Sequence, residues 1–348
     1  WDAFVEACER EIRMGVEDAR ALELHKVLGR TLQGELEEAF RAMGHWEKAR
    51  GFAPEDEEVL ESLRALYREG FNFEQLVDVL RAKLTNDETE DAERLTIWRE
   101  LAELFTESVV DPTQAIDAWE HVLAFAAADS RAIEALEVLY RQEKRWAKAV
   151  ELGQVKVRHT ESSSERLETW MDIATIQLER LEDADGAAET YQTVLDTHPS
   201  NLDASERLER IYRAGQQWSP LAELLYQRTE HLEDAFDRLQ NLRNLAKLAE
   251  HEIGDLEMAF GVLVEANEQA PDDLVTLEET LRLAAATERW EEMVDVYDAS
   301  LDSLEGDVAL DAAMKAAAIV RDQLGDKPRA INYFVRVLEL DEDSEAAL

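Results

Sequence analysis

The residues of this chain that could take part in chemistry are seven histidines, one cysteine and many carboxylates. Zinc sites on helices favour two histidines four residues apart, and the seven histidines, at positions 25, 45, 121, 159, 198, 231 and 251, form no such pair. We therefore expect most of them to be solvated surface residues. His25 is the exception. At its position in the repeat we expect a histidine that is partly buried and packs between helices.

Two acidic segments could bind a cation. Asp183-Ala184-Asp185-Gly186 resembles part of a calcium loop, but the remaining ligands and the downstream glutamate are missing from the sequence. Asp341-Glu342-Asp343 is interpreted as a turn between helices. Phosphate-binding loops, nucleophile elbows and zinc-protease motifs do not occur in the sequence. The sequence thus predicts no catalytic residue, no metal site and no cofactor, and it indicates a protein that is not an enzyme.

Charge restricts the classes of partner. The chain has 79 acidic and 37 basic residues, a formal net charge of −42. Such a surface repels phosphate backbones and anionic headgroups, so we expect no direct binding to nucleic acid or membranes and a preference for basic proteins. Solubility alone and adaptation to high salt remain alternative explanations of the acidity. The single cysteine, Cys8, excludes an internal disulfide and favours a reducing, cytoplasmic location.

The elements that position these residues repeat along the chain with a period near 72 residues. An aromatic residue recurs at steps of 72 or 73, and an alanine recurs at steps of 71 to 73. The members of the two series are Trp1, Phe73, Trp146, Trp218 and Trp290, and Ala42, Ala115, Ala187, Ala259 and Ala330. A fixed period of this length is typical of solenoid proteins.

Apolar residues within each period recur every three or four positions, which predicts helices. Leu95, Trp98, Ala102 and Phe105 form one such face. Proline at Pro112 and Pro328 marks helix starts, and Gly254 and Gly325 mark helix ends. We predict four helices, or two helical hairpins of about 36 residues, in each period. All eight tryptophans fall at recurring positions, so we assign them to packing rather than to a binding site.

The positions Ala187, Tyr191, Val194 and Pro199 resemble the second-helix signature of tetratricopeptide repeats (TPRs), and Gly254 to Ala259 resembles the turn before that helix. The resemblance implies an all-α, right-handed superhelical α-solenoid of TPR-like helix-turn-helix repeats with about 20 helices. The alternate hairpins carry Leu221 or Met293 at the alanine position, so related helical hairpin families stay open for them.

The resemblance also implies that first helices line a concave face on which varying polar residues contact partners. The predicted contacts are Glu100, Glu103, Asp172, Thr175, Asn244 and Lys247. This acidic set does not reproduce the peptide-carboxylate clamp of the family, and it favours basic or extended protein segments. Arg94, Arg166 and Arg238 also recur, and we interpret them as interhelical ion pairs or guanidinium groups packed on rings, rather than as a ladder for an anionic ligand.

We predict one continuous array over residues 1–348. Its modules cover about 1–14, 15–87, 88–160, 161–232, 233–304 and 305–348. The first module contains only a last helix, and Ser344 to Leu348 is interpreted as the opening turn of a further helix. The array is therefore expected to continue beyond both ends.

Three functional hypotheses follow. The first is a non-catalytic scaffold that binds protein segments or organises a complex. The second is a regulatory or targeting arm of an enzyme whose catalytic domain lies outside these residues. The third is a self-assembling structural spacer; like-charge repulsion disfavours it, so a homo-oligomer is possible but not indicated.

Overall fold

In the computed structural model the structure describes residues 1–86 and 89–340, which contain 19 α-helices and no β-strand. The predictions for Asp341-Glu342-Asp343 and for Ser344 to Leu348 lie outside the described residues. The chain divides into two compact units, residues 1–169 and 170–348, and the division falls inside the tenth helix.

The first unit consists of helices that alternate in direction along the chain. They are α1 (Asp2–Arg13), α2 (Asp18–Gly34), α3 (Ala39–Phe52), α4 (Glu57–Glu69), α5 (Phe73–Leu84), α6 (Asp91–Glu103), α7 (Pro112–Phe125), α8 (Ser130–Gln142) and α9 (Trp146–His159). Each helix packs on the next one in sequence, from α1 to α9. A π-helical turn, Leu104–Ser108, extends α6.

The second unit has the same arrangement. Its helices are α10 (Ser163–Arg180), α11 (Ala184–Thr197), α12 (Leu202–Ala214), α13 (Trp218–His231), α14 (Ala235–Leu248), α15 (Leu256–Gln269), α16 (Leu274–Thr287), α17 (Trp290–Leu301), α18 (Gly306–Asp322) and α19 (Lys327–Leu340). A π-helical turn, Ala249–Ile253, extends α14. The predicted modules 15–87, 88–160, 161–232 and 233–304 therefore each contain four helices. That the modules form one continuous array stays a prediction.

Every hairpin turns through one residue in the left-handed backbone region. These residues are Glu37, Phe71, Val110, Lys144, Glu182, Gln216, Gly254, Glu288 and Gly325. The next backbone N–H closes the turn onto the end of the first helix, as from Asp111 N to Phe105 O at 2.9 Å. The predicted helix ends at Gly254 and Gly325 are confirmed, with φ of +79° and +69°. In each hairpin the even-numbered helix is the first helix and the odd-numbered one is the second.

A large side chain of the second helix packs against a small residue of the first. Gly29 on α2 lies under the indole of Trp46 on α3, and a Cβ added to Gly29 would lie 2.8 Å from Trp46 Cδ2. The same 17-residue separation recurs in four further pairs: Ala102 with Trp119, Ala174 with Tyr191, Ala246 with Leu263, and Ala317 with Phe334. The alanines that recur on second helices, Ala115, Ala187, Ala259 and Ala330, are also buried. These hairpins thus have a TPR-like core.

The tryptophans differ in exposure. Trp46 and Trp119 are buried, whereas Trp98, Trp146, Trp170, Trp218 and Trp290 are half-buried. Trp1 is 62% exposed, so the assignment of all eight to packing positions is wrong for this residue. Trp1 is the N-cap residue that precedes α1, and it contacts Phe4 edge-on at 6.1 Å between ring centroids.

Replacing Gly29 by alanine tests the packing of the Trp46 ring. The new Cβ would overlap the indole, so we expect Gly29→Ala to lower the free energy of unfolding by roughly 1–3 kcal/mol. Gly44→Ala on α3 is the matched control because its Cβ meets no atom within 4 Å. It should stabilise the chain by about 0.5–1 kcal/mol through helix propensity. Denaturant unfolding of both variants measures the difference, and equal effects would contradict this packing.

The turn at Val110 gives a second prediction. A β-branched residue at φ +54° is strained by about 1–2 kcal/mol, and Gly254 and Gly325 relieve that strain at the equivalent position. Val110→Gly should therefore raise the free energy of unfolding by about 1 kcal/mol. Its neighbour Val109 has φ of −87°, so Val109→Gly should not stabilise the chain. Thermal melts of the two variants will show whether only the residue at positive φ responds.

Candidate protein-binding surface

The six predicted contact residues lie on the first helices of three hairpins. They are Glu100 and Glu103 on α6, Asp172 and Thr175 on α10, and Asn244 and Lys247 on α14. Asp172, Asn244 and Lys247 are exposed, and the other three are half-buried. Asn244 and Lys247 are three residues apart and share one exposed face of α14.

Glu100 and Glu103 link neighbouring first helices. Glu100 accepts hydrogen bonds from Arg64 at 2.6 Å and Arg68 at 3.0 Å, both on α4. Arg131 on α8 pairs with Glu103 at 2.7 Å. A partner that approached these two carboxylates would compete with arginines of the same chain. The side chain of Thr175 is also used internally, since it donates to Met171 O at 2.8 Å.

The second unit has a groove between first helices α16 and α18, which we call the first-helix groove. It has a volume of about 190 Å³. Leu274, Leu277 and Val308 supply apolar surface, and Glu278, Asp307 and Asp311 supply carboxylates. Leu274 and Val308 are 42% and 37% exposed, which is unusual for apolar side chains beside a helical core. The groove therefore offers apolar contact together with negative charge.

Charges inside the first-helix groove are only partly compensated. Lys315 pairs with Asp311 at 2.7 Å, four residues earlier on α18. Tyr297 of α17 lines the groove, and burial, with the charges of Asp311 and Glu278, raises the pKa of its hydroxyl. Burial and the neighbouring carboxylates both disfavour ionisation of the Tyr297 hydroxyl. The phenol therefore stays neutral, and the groove remains suited to cations. Sequence reasoning missed this groove, although apolar Leu274 and Val275 at the exposed start of a first helix were a usable signal.

Two of the recurring arginines, Arg94 and Arg238, donate hydrogen bonds to backbone carbonyl groups. Arg94 donates to the carbonyl oxygens of Thr89 at 3.0 Å and Asn86 at 3.3 Å. Arg238 donates to Leu232 O at 2.8 Å and Glu233 O at 3.0 Å. The sequence predicted ion pairs or stacked guanidiniums, and the structure shows these two guanidinium groups hydrogen-bonded to backbone carbonyl oxygens. They satisfy carbonyl groups in the connections between hairpins.

Carboxylates also surround a buried lysine. Lys83 on α5 is 1% exposed, and its Nζ lies 2.8 Å from Glu57, 2.6 Å from Glu93 and in contact with Glu61. Burial opposes the charge, but the three carboxylates outweigh it and raise the pKa of Lys83. Over residues 1–86 and 89–340 these glutamates are the one group of three or more potential metal ligands, and the ammonium already lies among them. The cluster therefore joins α4, α5 and α6 by charge.

His25 and His45 form a buried pair. Their Nδ1 atoms are 3.0 Å apart, and the two side chains are 4% and 9% exposed. His25 is packed as expected, but the prediction that the other histidines are solvated is wrong for His45. Burial, with the charges of His45 and Lys48, lowers the pKa of His25 to about 4. Burial and Lys48 also lower the pKa of His45, against the opposing effect of Glu9.

None of the helices within residues 1–86 and 89–340 has the length and apolar character that a membrane span requires. No protein-family model matches the chain, and no curated protein matches it.

Solved structures with similar helices include Naa15/Naa10 bound to HypK-THB, at 15% identity and a TM-score of 0.39 over 97% of this chain and 55% of that chain. This chain thus spans about half the length of that one. YrrB, a TPR protein with an unusual peptide-binding site, is 14% identical with a TM-score of 0.29, over 54% of this chain and 93% of that chain. A TPR protein from Parabacteroides merdae is 13% identical with a TM-score of 0.31, over 76% of this chain and 99% of that chain.

The histidine pair predicts an acid-sensitive contact between α2 and α3. Both pKa values are lowered in the folded chain, so the unfolded chain binds more protons and stability falls as the pH drops from about 6.5 towards 4. The loss attributable to His25 is roughly 2–3 kcal/mol, fully developed below its folded pKa.

A double variant, His25→Leu with His45→Leu, should lose less stability over this pH range than the natural sequence does. His159→Gln, which removes an exposed histidine, should follow the natural sequence. Denaturant unfolding at a series of pH values measures both. Parallel curves for all three proteins would show that the pair does not titrate as described.

Proposed function

We propose that this TPR-like helical repeat array is a protein-interaction scaffold whose acidic surface binds basic or extended segments of other proteins. The first-helix groove is the observation that carries the proposal. It combines exposed Leu274 and Val308 with the carboxylates of Glu278, Asp307 and Asp311. An extended segment with alternating apolar and basic side chains matches both kinds of surface.

Two physical effects would contribute to binding. Apolar side chains placed on Leu274 and Val308 remove apolar surface from water, at roughly 25 cal/mol for each Å². The net charge of −42 attracts cationic segments and accelerates their encounter with the surface. The first effect supplies affinity at the groove, and the second depends on ionic strength.

The predicted contact residues divide into two groups in this proposal. We place Asn244 and Lys247 among the partner contacts because their side chains share an exposed face of α14, and Asp172 joins them through its exposed position on α10. Glu100 and Glu103 contribute less, since their carboxylates already bridge α6 to α4 and α8 through arginines. The hydroxyl hydrogen of Thr175 is already donated to Met171 O. In this proposal Thr175 contacts a partner only by its position near Asp172 on α10.

Charge reversal in the groove tests the proposal. A double variant, Glu278→Lys with Asp307→Lys, should weaken binding of a fluorescein-labelled lysine–leucine peptide by roughly tenfold or more, because it adds cations beside the bound segment. The control, Glu189→Lys with Glu223→Lys, makes the same change in net charge on second helices α11 and α13. Fluorescence anisotropy at about physiological ionic strength, where screening acts over roughly 8 Å, separates local from long-range effects.

The two double variants give distinct outcomes. A loss of affinity in the groove variant that clearly exceeds the loss in the control supports the first-helix groove as the binding surface. If the natural chain bound the peptide no better than a neutral serine–leucine peptide did, the scaffold proposal would be contradicted for basic segments.

A further inference from the structure

The second unit also has grooves between neighbouring second helices. One lies between α15 and α17 and has a volume of about 240 Å³; we call it the second-helix groove. Its lining includes Val264, Asn267, Glu268, Glu292, Asp295 and Val296. The other lies between α11 and α13, with a volume of about 220 Å³, and we call it the filled groove. Its lining includes Gln192, Leu195, Asp196, Leu224, Gln227 and Arg228.

The two grooves are the same site in successive periods. Adding 72 to Leu195 and Asp196 gives Asn267 and Glu268, and adding 72 to Leu224 gives Val296. Their volumes are similar as well. A difference in side chains at equivalent positions therefore shows what each groove accommodates.

The filled groove contains a guanidinium of its own chain. Arg228 is 13% exposed, its Nε donates to Ser205 Oγ at 2.8 Å, and its Nη1 donates to Glu209 at 2.7 Å. Earlier in the chain, Lys156 occupies the equivalent position and pairs with Glu137 at 2.8 Å, and Lys83 occupies it among its three glutamates. Three successive periods therefore place an internal cation at this position.

The second-helix groove has no equivalent cation. Ser300 replaces Arg228, and Leu277 and Leu281 replace Ser205 and Glu209. The groove is nevertheless acidic on both walls. Arg289 pairs with Glu292 at 2.7 Å and Arg329 lies 3.5 Å from Asp295, whereas Glu268 forms no ion pair with any residue of the described chain. Negative charge thus exceeds positive charge along the groove.

Asn267 supplies an acceptor without a donor. It is 3% exposed, and its Nδ2 donates to Leu263 O and to Thr280 Oγ1, each at 2.7 Å. Thr280 gives its own proton to Thr276 O, so it can only accept from Asn267, which determines the orientation of the amide. Asn267 Oδ1 is buried and has no partner. A buried acceptor without a donor is unfavourable, and an incoming N–H group would satisfy it.

Acidic residues also cluster on the neighbouring part of α15. Glu265 lies on the same helix as Asn267, and burial, with the charges of Glu268 and Glu230, raises the pKa of its carboxyl group. The field at this part of α15 therefore opposes further negative charge and favours a cation.

We propose that the second-helix groove is a subsite for an arginine side chain of a partner protein. The stem of that arginine lies on Val264 and Val296, and its guanidinium reaches Glu268 and the amide oxygen of Asn267. Arg228 in the filled groove is the internal precedent for the shape and charge of the occupant. The subsite rests on the proposed scaffold function and lies on second helices, apart from the first-helix groove.

The test uses a fluorescein-labelled arginine–alanine peptide and a matched peptide with citrulline in place of arginine. The natural chain should bind the citrulline peptide roughly tenfold more weakly. Glu268→Lys should weaken binding of the arginine peptide by about fivefold or more, whereas Asp196→Lys should change it by less than about twofold. Both variants alter net charge equally and lie at equivalent positions, but the groove beside Asp196 already contains Arg228.

A second variant separates binding from folding. Asn267→Leu introduces the side chain found at the equivalent Leu195 and removes the unpaired acceptor. We expect weaker binding of the arginine peptide by about threefold or more, with helical content and melting midpoint measured on the same sample.

Equal weakening by Glu268→Lys and Asp196→Lys, or unchanged binding by folded Asn267→Leu, would overturn the arginine subsite while leaving the scaffold proposal intact. If the natural chain bound neither the arginine peptide nor the lysine–leucine peptide, the scaffold proposal itself would fail.

Discussion

The fold depends on the close contact between the two helices of each hairpin, where a large side chain needs a small residue opposite. Trp46 lies directly over Gly29, and the same separation pairs Trp119 with Ala102. Two helices in such contact still expose apolar faces, so each hairpin is stable only against neighbouring hairpins. This requirement explains why the same sequence positions stay small or large through five periods, while exposed positions vary freely.

Charge then determines how neighbouring first helices align. Asp56, Asp129 and Asp273 cap α4, α8 and α16, and each also pairs with a cation of the preceding first helix. Those pairs are Lys26 with Asp56 at 2.9 Å, Arg99 with Asp129 at 2.6 Å, and Arg243 with Asp273 at 3.1 Å. In the remaining period the cation is replaced by Met171 and the cap is the neutral Asn201. The acid and the cation are thus lost together, as expected for partly buried pairs.

Much of this architecture was predictable from sequence because helix packing repeats the same demands every 72 residues. The helix starts at Pro112 and Pro328 and the ends at Gly254 and Gly325 follow from backbone chemistry alone. Burial of His45 and of Lys83 was not predictable, since each depends on partners about 20 residues away on another helix. The first-helix groove and the second-helix groove were missed for a similar reason: the walls of each come from helices in different hairpins, and only packing brings those side chains to one surface.

The distribution of charge links these features to function. With 79 acidic and 37 basic residues, one-to-one pairing of every cation would still leave 42 carboxylates unpaired. Packing accounts for the acids that meet a lysine or arginine inside the chain, such as Glu209 with Arg228. It does not account for Glu268, Glu278 or Asp307, which line grooves beside exposed or half-buried apolar side chains. Where the internal cation is replaced, by Met171 and by Ser300, the acid that would pair with it is replaced as well, by Asn201 and by Leu281. In the proposed function, a partner supplies the cations for Glu268, Glu278 and Asp307.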